Sequence, residues 1–523
     1  MASVPSAVYL GAVGAGALLL YSVCLAGYRL YLSPIARFPG PKLAALTLWY
    51  EFYHDVVRGG QYVFKINELH DQYGPILRIN PYELHVRDPD FYEVLYSGPG
   101  QKRDKWWWAV EMFGNSSSGF GTISHEVHRL RRAALNPFFS KQAISRMEPL
   151  IRELLEKLCA RFERCRETGE PVDTLQAYAA LTTDIITTYS FNTSYGCIGD
   201  SNWKSEWPQA MVDSTTSVHL NKQFKWLFPA MQATPEWIVK KLNPAVMNII
   251  DFQRFDLARQ ILDLMNDESK SEKSSHRTIF HELIHGDLPA EEKSLRRLVD
   301  EGQTMIAAGQ ETSSFFLKTV TYHILANQDI HRKLKAELAE AIPDPNSIPP
   351  LARLEGLPYL HAVVQEGHRF SHGVTGRLER ISPDKPLQFQ DWVIPAGTPV
   401  SMTSFIQHND PSKFPDPNLF DPTRWLNNSE KLEKYLVPFS KGTRQCLGIN
   451  LATSEIFLTL ATVFRRFDME LYETTARDAE VAHDFFSSRL RRFQGSQGCV
   501  KIVLWTQGGM SDWTSPPRKY VQE

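Results

Sequence analysis

Phe439-Ser440-Lys441-Gly442-Thr443-Arg444-Gln445-Cys446-Leu447-Gly448 sets one cysteine in a short glycine-flanked loop, just before the helical-looking run Ile449 to Phe464. Backbone N–H groups at a helix start are unpaired and favour negative charge, which lowers a thiol's pKa and lets the loop present a thiolate to a metal. Gly442 and Gly448 allow backbone conformations and close approach that a β-carbon blocks. Arg444 supplies a fixed cation, and Phe439 can roof the sulfur. A lone loop cysteine is more often a small hydrophobe than a ligand, so this reading depends on the rest of the chain.

Working outward, 43% apolar and 22% charged residues over 523 positions are a globular protein's proportions, with length enough to enclose a cofactor. A formal net charge of −2 gives no support for nucleic-acid binding as the main business. Cys24, Cys159, Cys165, Cys197, Cys446 and Cys499 form neither CxxC pairs nor zinc spacing, the usage of a reduced, cytosol-facing chain. Sequons begin at Asn115, Asn192 and Asn427 and are expected to stay unused.

From Met1 to Tyr28 no side chain is charged, and Val8 to Tyr28 is apolar or small, long enough to cross a hydrocarbon core of about 30 Å. The run exceeds the roughly 7–15 residues of a signal-peptide core and has no basic n-region, so it predicts an anchor rather than a cleaved leader. Arg29, Arg37 and Lys42 follow it, which places the remainder on the cytosolic side. Three prolines and a glycine in Ser33 to Pro41 then make a stiff connector. The expected organisation is an anchor at 1–32, a hinge at 33–42 and one body at 43–523.

In the body, helical periodicity dominates, with β-like pieces at Ile76–Ile79 and Val500–Leu504 and a solvated polar loop at Asn266–Ser275. Ser294 to Ala326 reads as one long helix with Ala307-Ala308-Gly309-Gln310-Glu311-Thr312 near its middle. An interior glycine costs about 1 kcal/mol against alanine, so Ala308 and Gly309 thin the helix for a reason, such as a flat cofactor's approach. Thr312 can instead bond back within its own helix, and Glu311 alone would be a surface carboxylate. Glu366 and Arg369 stand at i,i+3 on the helix expected over Leu360–Phe370.

The loop pattern F-x-x-G-x-R-x-C-x-G resembles, at every defined position, the haem-binding loop of the cytochrome P-450 family. Separate stretches carry the same resemblance: A-G-x-E-T at Ala308–Thr312, E-x-x-R at Glu366–Arg369, and Phe420-Asp421-Pro422-Thr423-Arg424-Trp425 for the partner segment F-x-P-x-R-W/F, with Thr423 where many members have Glu. The resemblance implies a mainly α fold with small β-sheets, a single haem domain behind one transmembrane helix. It makes Cys446 the metal ligand of haem b (iron protoporphyrin IX), and Glu311 and Thr312 the acid–alcohol pair that delivers protons during oxygen activation. Glu366, Arg369 and Arg424 become a buried bracing network. Where the family has W-x-x-x-R, this chain has His128 and Arg132, which, with Arg444, become haem propionate contacts. Trp107, Val374, Thr375 and Phe485 would face substrate.

No flavin or nicotinamide fingerprint is present, so the resemblance implies electrons from an NADPH-dependent P-450 reductase, with cytochrome b5 as an optional donor, and a monomer in the endoplasmic reticulum membrane. The run His125 to Ser140 is most similar to filamentous-fungal members of the trichodiene-oxygenase kind, which implies secondary metabolism and an apolar, terpenoid-like substrate; a polyketide or alkaloid stays open. A haem-thiolate isomerase, dehydratase or peroxygenase is the rival enzyme, and a membrane-anchored haem sensor the rival outside catalysis.

Overall fold

The computed structural model describes residues 4–203, 215–242, 247, 251–266, 278–426, 431–490 and 500–505. The polar loop expected at 266–275 falls, from 267 on, outside these residues, as do Asn427 and Cys499. The other five cysteines are free thiols.

The apolar N-terminal run forms the helix Val4–Gly27 and a last wide turn, Tyr28–Leu32. Its segment Tyr9–Leu32 is long and apolar enough to span a membrane and is not buried against the body, which fits an anchor. The two flanks of the proline-rich stretch that follows are tied together and to the body. Arg29 donates to the carbonyl of Leu46 at 2.6 Å, and the buried Arg78 donates back to the carbonyl of Arg29 at 2.7 Å.

The body is mainly helical. The long helix is Leu295–Ala326, with Ser294 as its N-cap, and it lies along the helix Thr174–Phe191. Gly309 sits in that seam: a β-carbon there would lie 3.0 Å from Ile186 Cγ1. Its lack of a side chain therefore serves close helix packing. Leu298, Ile306, Phe316 and Val320 from the long helix share one core with Leu181 and Ile185 and with Ile456 and Leu460 of the helix Ile449–Arg466. Each such buried side chain contributes about 1.5–3 kcal/mol.

The sheets are small. A four-stranded sheet runs in the order Ile76–Arg78, Leu84–Val86, Pro399–Ser401, Arg380–Ile381, with only the middle pair parallel. A hairpin pairs Val481–Phe485 with Ser487–Leu490, and Lys501–Trp505 joins Val172–Asp173 and Asp468–Tyr472. The two β-like pieces in the sequence thus become strands, and the turn after Ile394 joins Trp392–Ile394 to Pro399–Ser401.

Candidate active site

A cavity of about 390 Å³ brings the cysteine loop and the middle of the long helix together. In the loop, the amide of Cys446 donates to the carbonyl of Phe439 at 2.8 Å, closing the turn beneath the sulfur. Gly442 has φ +76, and a β-carbon on it would lie 2.2 Å from the carbonyl oxygen of Ser97. It lets the loop seat on the Tyr96–Ser97 backbone and does not itself line the cavity. Gly448 does line it, with open space where a β-carbon would be.

The sequence reading put the thiol's pKa low; in the folded chain it is raised. Desolvation within the cavity, to which the thiol is open, outweighs the opposing pulls of the Gly448 amide and of Arg132. Phe439 lines the cavity and stands edge-on to His368, ring centres 4.9 Å apart.

One edge of the cavity is crowded with bases. Arg132 donates to the carbonyls of Gln445 at 2.7 Å and Cys446 at 3.4 Å. Arg444 holds the carbonyls of Arg103, Thr122 and Ile123 at 3.2, 2.7 and 2.6 Å. His128, Lys105 and Arg380 line the same cavity; the last two were not singled out in the sequence. Burial, with the neighbouring arginines, pushes Lys105 well below its ordinary value. Burial and then Arg380 bring Arg444 down to about 9. Burial and the cations Arg444, Lys105 and Arg132 hold His128 down at about 2, so its ring is neutral. Five bases pressed together out of water make an edge that an anionic ligand would relieve.

On the long helix, Ala308, Gly309, Glu311 and Thr312 all line the cavity. The Thr312 hydroxyl donates to the carbonyl of Ala308 at 2.8 Å. Glu311 Oε1 accepts from Ser487 at 2.6 Å and is ion-paired with Arg489.

With this geometry in place, the comparisons with known proteins are decisive. The family model for cytochrome P450 matches residues 40–488. The chain belongs to the cytochrome P450 family. It is 46% identical to cytochrome P450 monooxygenase MO6277 of Ascocoryne sarcoides over 90% of this chain and 94% of the relative. It is 44% identical to N-acetyltryptophan 6-hydroxylase of Emericella nidulans (92% and 95% covered) and 40% identical to conidiogenone synthase of Penicillium rubens (87% and 91%). This P450 is thus a monooxygenase of the kind used in fungal secondary metabolism, with a haem-iron cofactor, a substrate and a redox partner.

The residues of this P450 fit a haem. Among the described residues no group of three or more His, Cys, Asp or Glu side chains could hold a bare metal ion. Cys446 could supply the thiolate, and Arg132, Arg444, Lys105, Arg380 and His128 the partners of two carboxylates. The proximal side is braced by a buried network. Glu366 and Arg369 are both fully buried and paired at 2.8 Å. Glu366 also accepts from Arg424 at 3.1 Å, from the Trp425 indole at 2.9 Å and from the amide of Asp421 at 2.9 Å. Arg369 donates to the carbonyls of His408, Pro417 and Leu419. Thr423 bonds locally to Asp421 and takes no part in the network.

Of the four candidate substrate contacts, Val374 alone lines the cavity. Thr375 is buried and donates to Asp484 at 2.9 Å. Phe485 packs with Ala109, Met112 and Val218 beside the cavity without lining it, while Met112 and the next residue in the chain, Phe486, do line it. Trp107 is 53% exposed at the surface, with the Lys225 ammonium 3.9 Å above its ring. Exposed Trp49 and Trp226 flank Phe224 nearby in the chain's aromatic surface, ring centres 6.1 Å apart in each pair. The distal walls are instead Phe113, Phe120, Phe228 and Met305, interrupted by Asn115 and Thr304, which bond to each other at 2.8 Å. Asn115, buried in this way, is not an acceptor for a glycan in the folded chain.

Proposed function

We propose that this P450 inserts one oxygen atom from O2 into an apolar, terpenoid-like secondary metabolite, using electrons from an NADPH-dependent reductase. The carrying observation is that Cys446 and the Glu311–Thr312 pair share one cavity with apolar distal walls. Haem b, held by Cys446 through its iron and by the basic edge through its propionates, supplies oxygen activation when bound, with the thiolate donating electron density. The reaction takes up two electrons and two protons, and the second oxygen atom leaves as water.

The chain's own residues position substrate and move protons. Phe113, Phe120, Phe228 and Phe486 bury the apolar body of the substrate and exclude bulk water. Thr312, on the helix wall, orders water with its hydroxyl, and Glu311 passes protons that come ultimately from solvent to that water. Residues 1–32 anchor the enzyme in the endoplasmic reticulum membrane, 33–42 form the hinge, and 43–523 act as a monomeric, cytosolic haem domain. Cytochrome b5 is an optional second donor.

The test is turnover of the membrane-bound enzyme with reductase, NADPH and a panel of terpenoid, polyketide and indole substrates under oxygen-18 gas. A labelled, oxygenated terpenoid supports the reading. Turnover without reductase and NADPH would replace it with an isomerase, dehydratase or peroxygenase.

A further inference from the structure

The carboxylate next to Thr312 is held from outside the helix. Glu311 Oε1 receives two donors, Ser487 Oγ at 2.6 Å and the Arg489 guanidinium. The two donors sit two residues apart on the strand Ser487–Leu490, so they project from one face of it. Arg489 is buried, with only 6% of its side chain exposed. Among the described residues its other bonds go to Thr215 Oγ1 at 2.6 Å and the carbonyl of Ser488 at 3.3 Å, and its Nε has no partner. A buried arginine with an unpaired donor is costly; an acidic partner facing a cavity gives it a reason to be there.

The same hairpin meets the substrate space. Phe486 precedes Ser487, lines the cavity and holds φ +74, a conformation a phenylalanine rarely adopts. It is fixed there by its amide to Asp484 at 2.9 Å and by the Gly376 amide to its carbonyl at 2.9 Å. Asp484 is tied in turn to Thr375 and, through its amide, to Gly60. The strand register therefore fixes three things together: an aromatic wall of the cavity, a serine and an arginine on the relay acid.

We propose that Arg489, assisted by Ser487, is a positioning residue for proton delivery: it sets the direction in which the Glu311 carboxylate points, so the hairpin governs how many electrons end in product rather than peroxide. This rests on the reading of Glu311 and Thr312 as the proton-handling pair. An arginine with a purely architectural role would brace the hairpin without acting through Glu311.

The experiment is a double-mutant cycle on the full-length, haem-loaded enzyme with reductase, reading product formed per NADPH consumed and peroxide released. The variants are Arg489→Met, Arg489→Lys, Glu311→Gln and Arg489→Met combined with Glu311→Gln. Arg489→Met is expected to lower product per NADPH by about tenfold, the worth of one charge-assisted hydrogen bond. Arg489→Lys recovers part of it, and Arg489→Met adds nothing once Glu311 is Gln. Effects that multiply independently in the double variant, with haem content intact, overturn the role of Arg489. Unchanged coupling in Glu311→Gln alone overturns the relay reading instead. If Arg489→Met fails to retain haem, Arg489→Lys with and without Glu311→Gln decides by the same comparison.

Discussion

The guanidinium of Arg132 donates to the carbonyl of Gln445 at 2.7 Å, joining the helix His125–Leu135 to the loop one residue before the thiol. Arg132 also contacts the Cys446 carbonyl and lines the cavity. It therefore fixes the loop and faces the cofactor space at once. Arg132→Ala is expected to lose roughly 1.5–3 kcal/mol of charge-assisted bonding and to be isolated with a reduced haem-to-protein ratio. Arg132→Lys keeps the charge without the fork and falls between. Pyridine haem assays on purified variants check both.

Glu366 concentrates more donors than any exposed pair could use. Glu366→Gln leaves Arg369 and Arg424 without their carboxylate in a dry site, at a cost of about 3–5 kcal/mol. Haem-containing protein should scarcely accumulate. Trp425→Phe removes a single donor, the 2.9 Å indole bond, and should cost about 1–3 kcal/mol. Chemical denaturation of the holoenzyme measures the second; expression level with haem absorbance reads the first.

The parts of the site that the sequence makes legible are the local ones. The cysteine loop, the Ala307–Thr312 stretch of the long helix and the i,i+3 pair each lie within a dozen residues, so one window of sequence holds each of them whole. What brings distant segments together is not written in any window. Lys105 and Arg380 reach the cavity edge from a loop and a short strand, and Arg489 meets Glu311 across 178 residues. Trp107 illustrates a different ambiguity, since a run of tryptophans has the same composition at a pocket wall and at an exposed surface. Phe485 ends one strand and Phe486, with φ +74, is the bend before the next, so no strand alternation in the sequence tells which of the two reaches the cavity. Gly309 was legible as a thinning of the helix, but not as the seat of Ile186.

Glu455 supplies a pH dependence. It is buried on the helix after the thiol loop, its Oε1 is without a partner among the described residues, and burial raises its carboxyl from 4.5 to about 8 despite a bond from Ser313. The folded chain therefore keeps a proton that the unfolded chain loses. The resulting stability is fully present below about pH 4.5 and is lost as pH rises to about 8. Thermal unfolding of wild type should fall across that window, and Glu455→Gln should flatten the fall, with an advantage of a few kcal/mol, roughly, on the alkaline side.

Thr312→Ala removes the hydroxyl on the cavity wall without touching the basic edge or the thiol loop. Haem content and substrate-induced spectral change should stay near wild type. Product per NADPH should fall by about tenfold, less than the ~10²–10⁴-fold of a fully lost general acid because water can enter, and peroxide should rise in its place. Parallel assays of NADPH, product and peroxide check this.

The central claim is that Cys446 is the thiolate on a haem iron. Its most direct test is the absorption spectrum of the dithionite-reduced, carbon-monoxide-bound protein, recorded for wild type and for Cys446→Ala. The account predicts the strongly red-shifted Soret band of a thiolate-ligated haem in wild type and its loss in the variant. A wild-type band at the position given by histidine ligation, or one unchanged in Cys446→Ala, would contradict it.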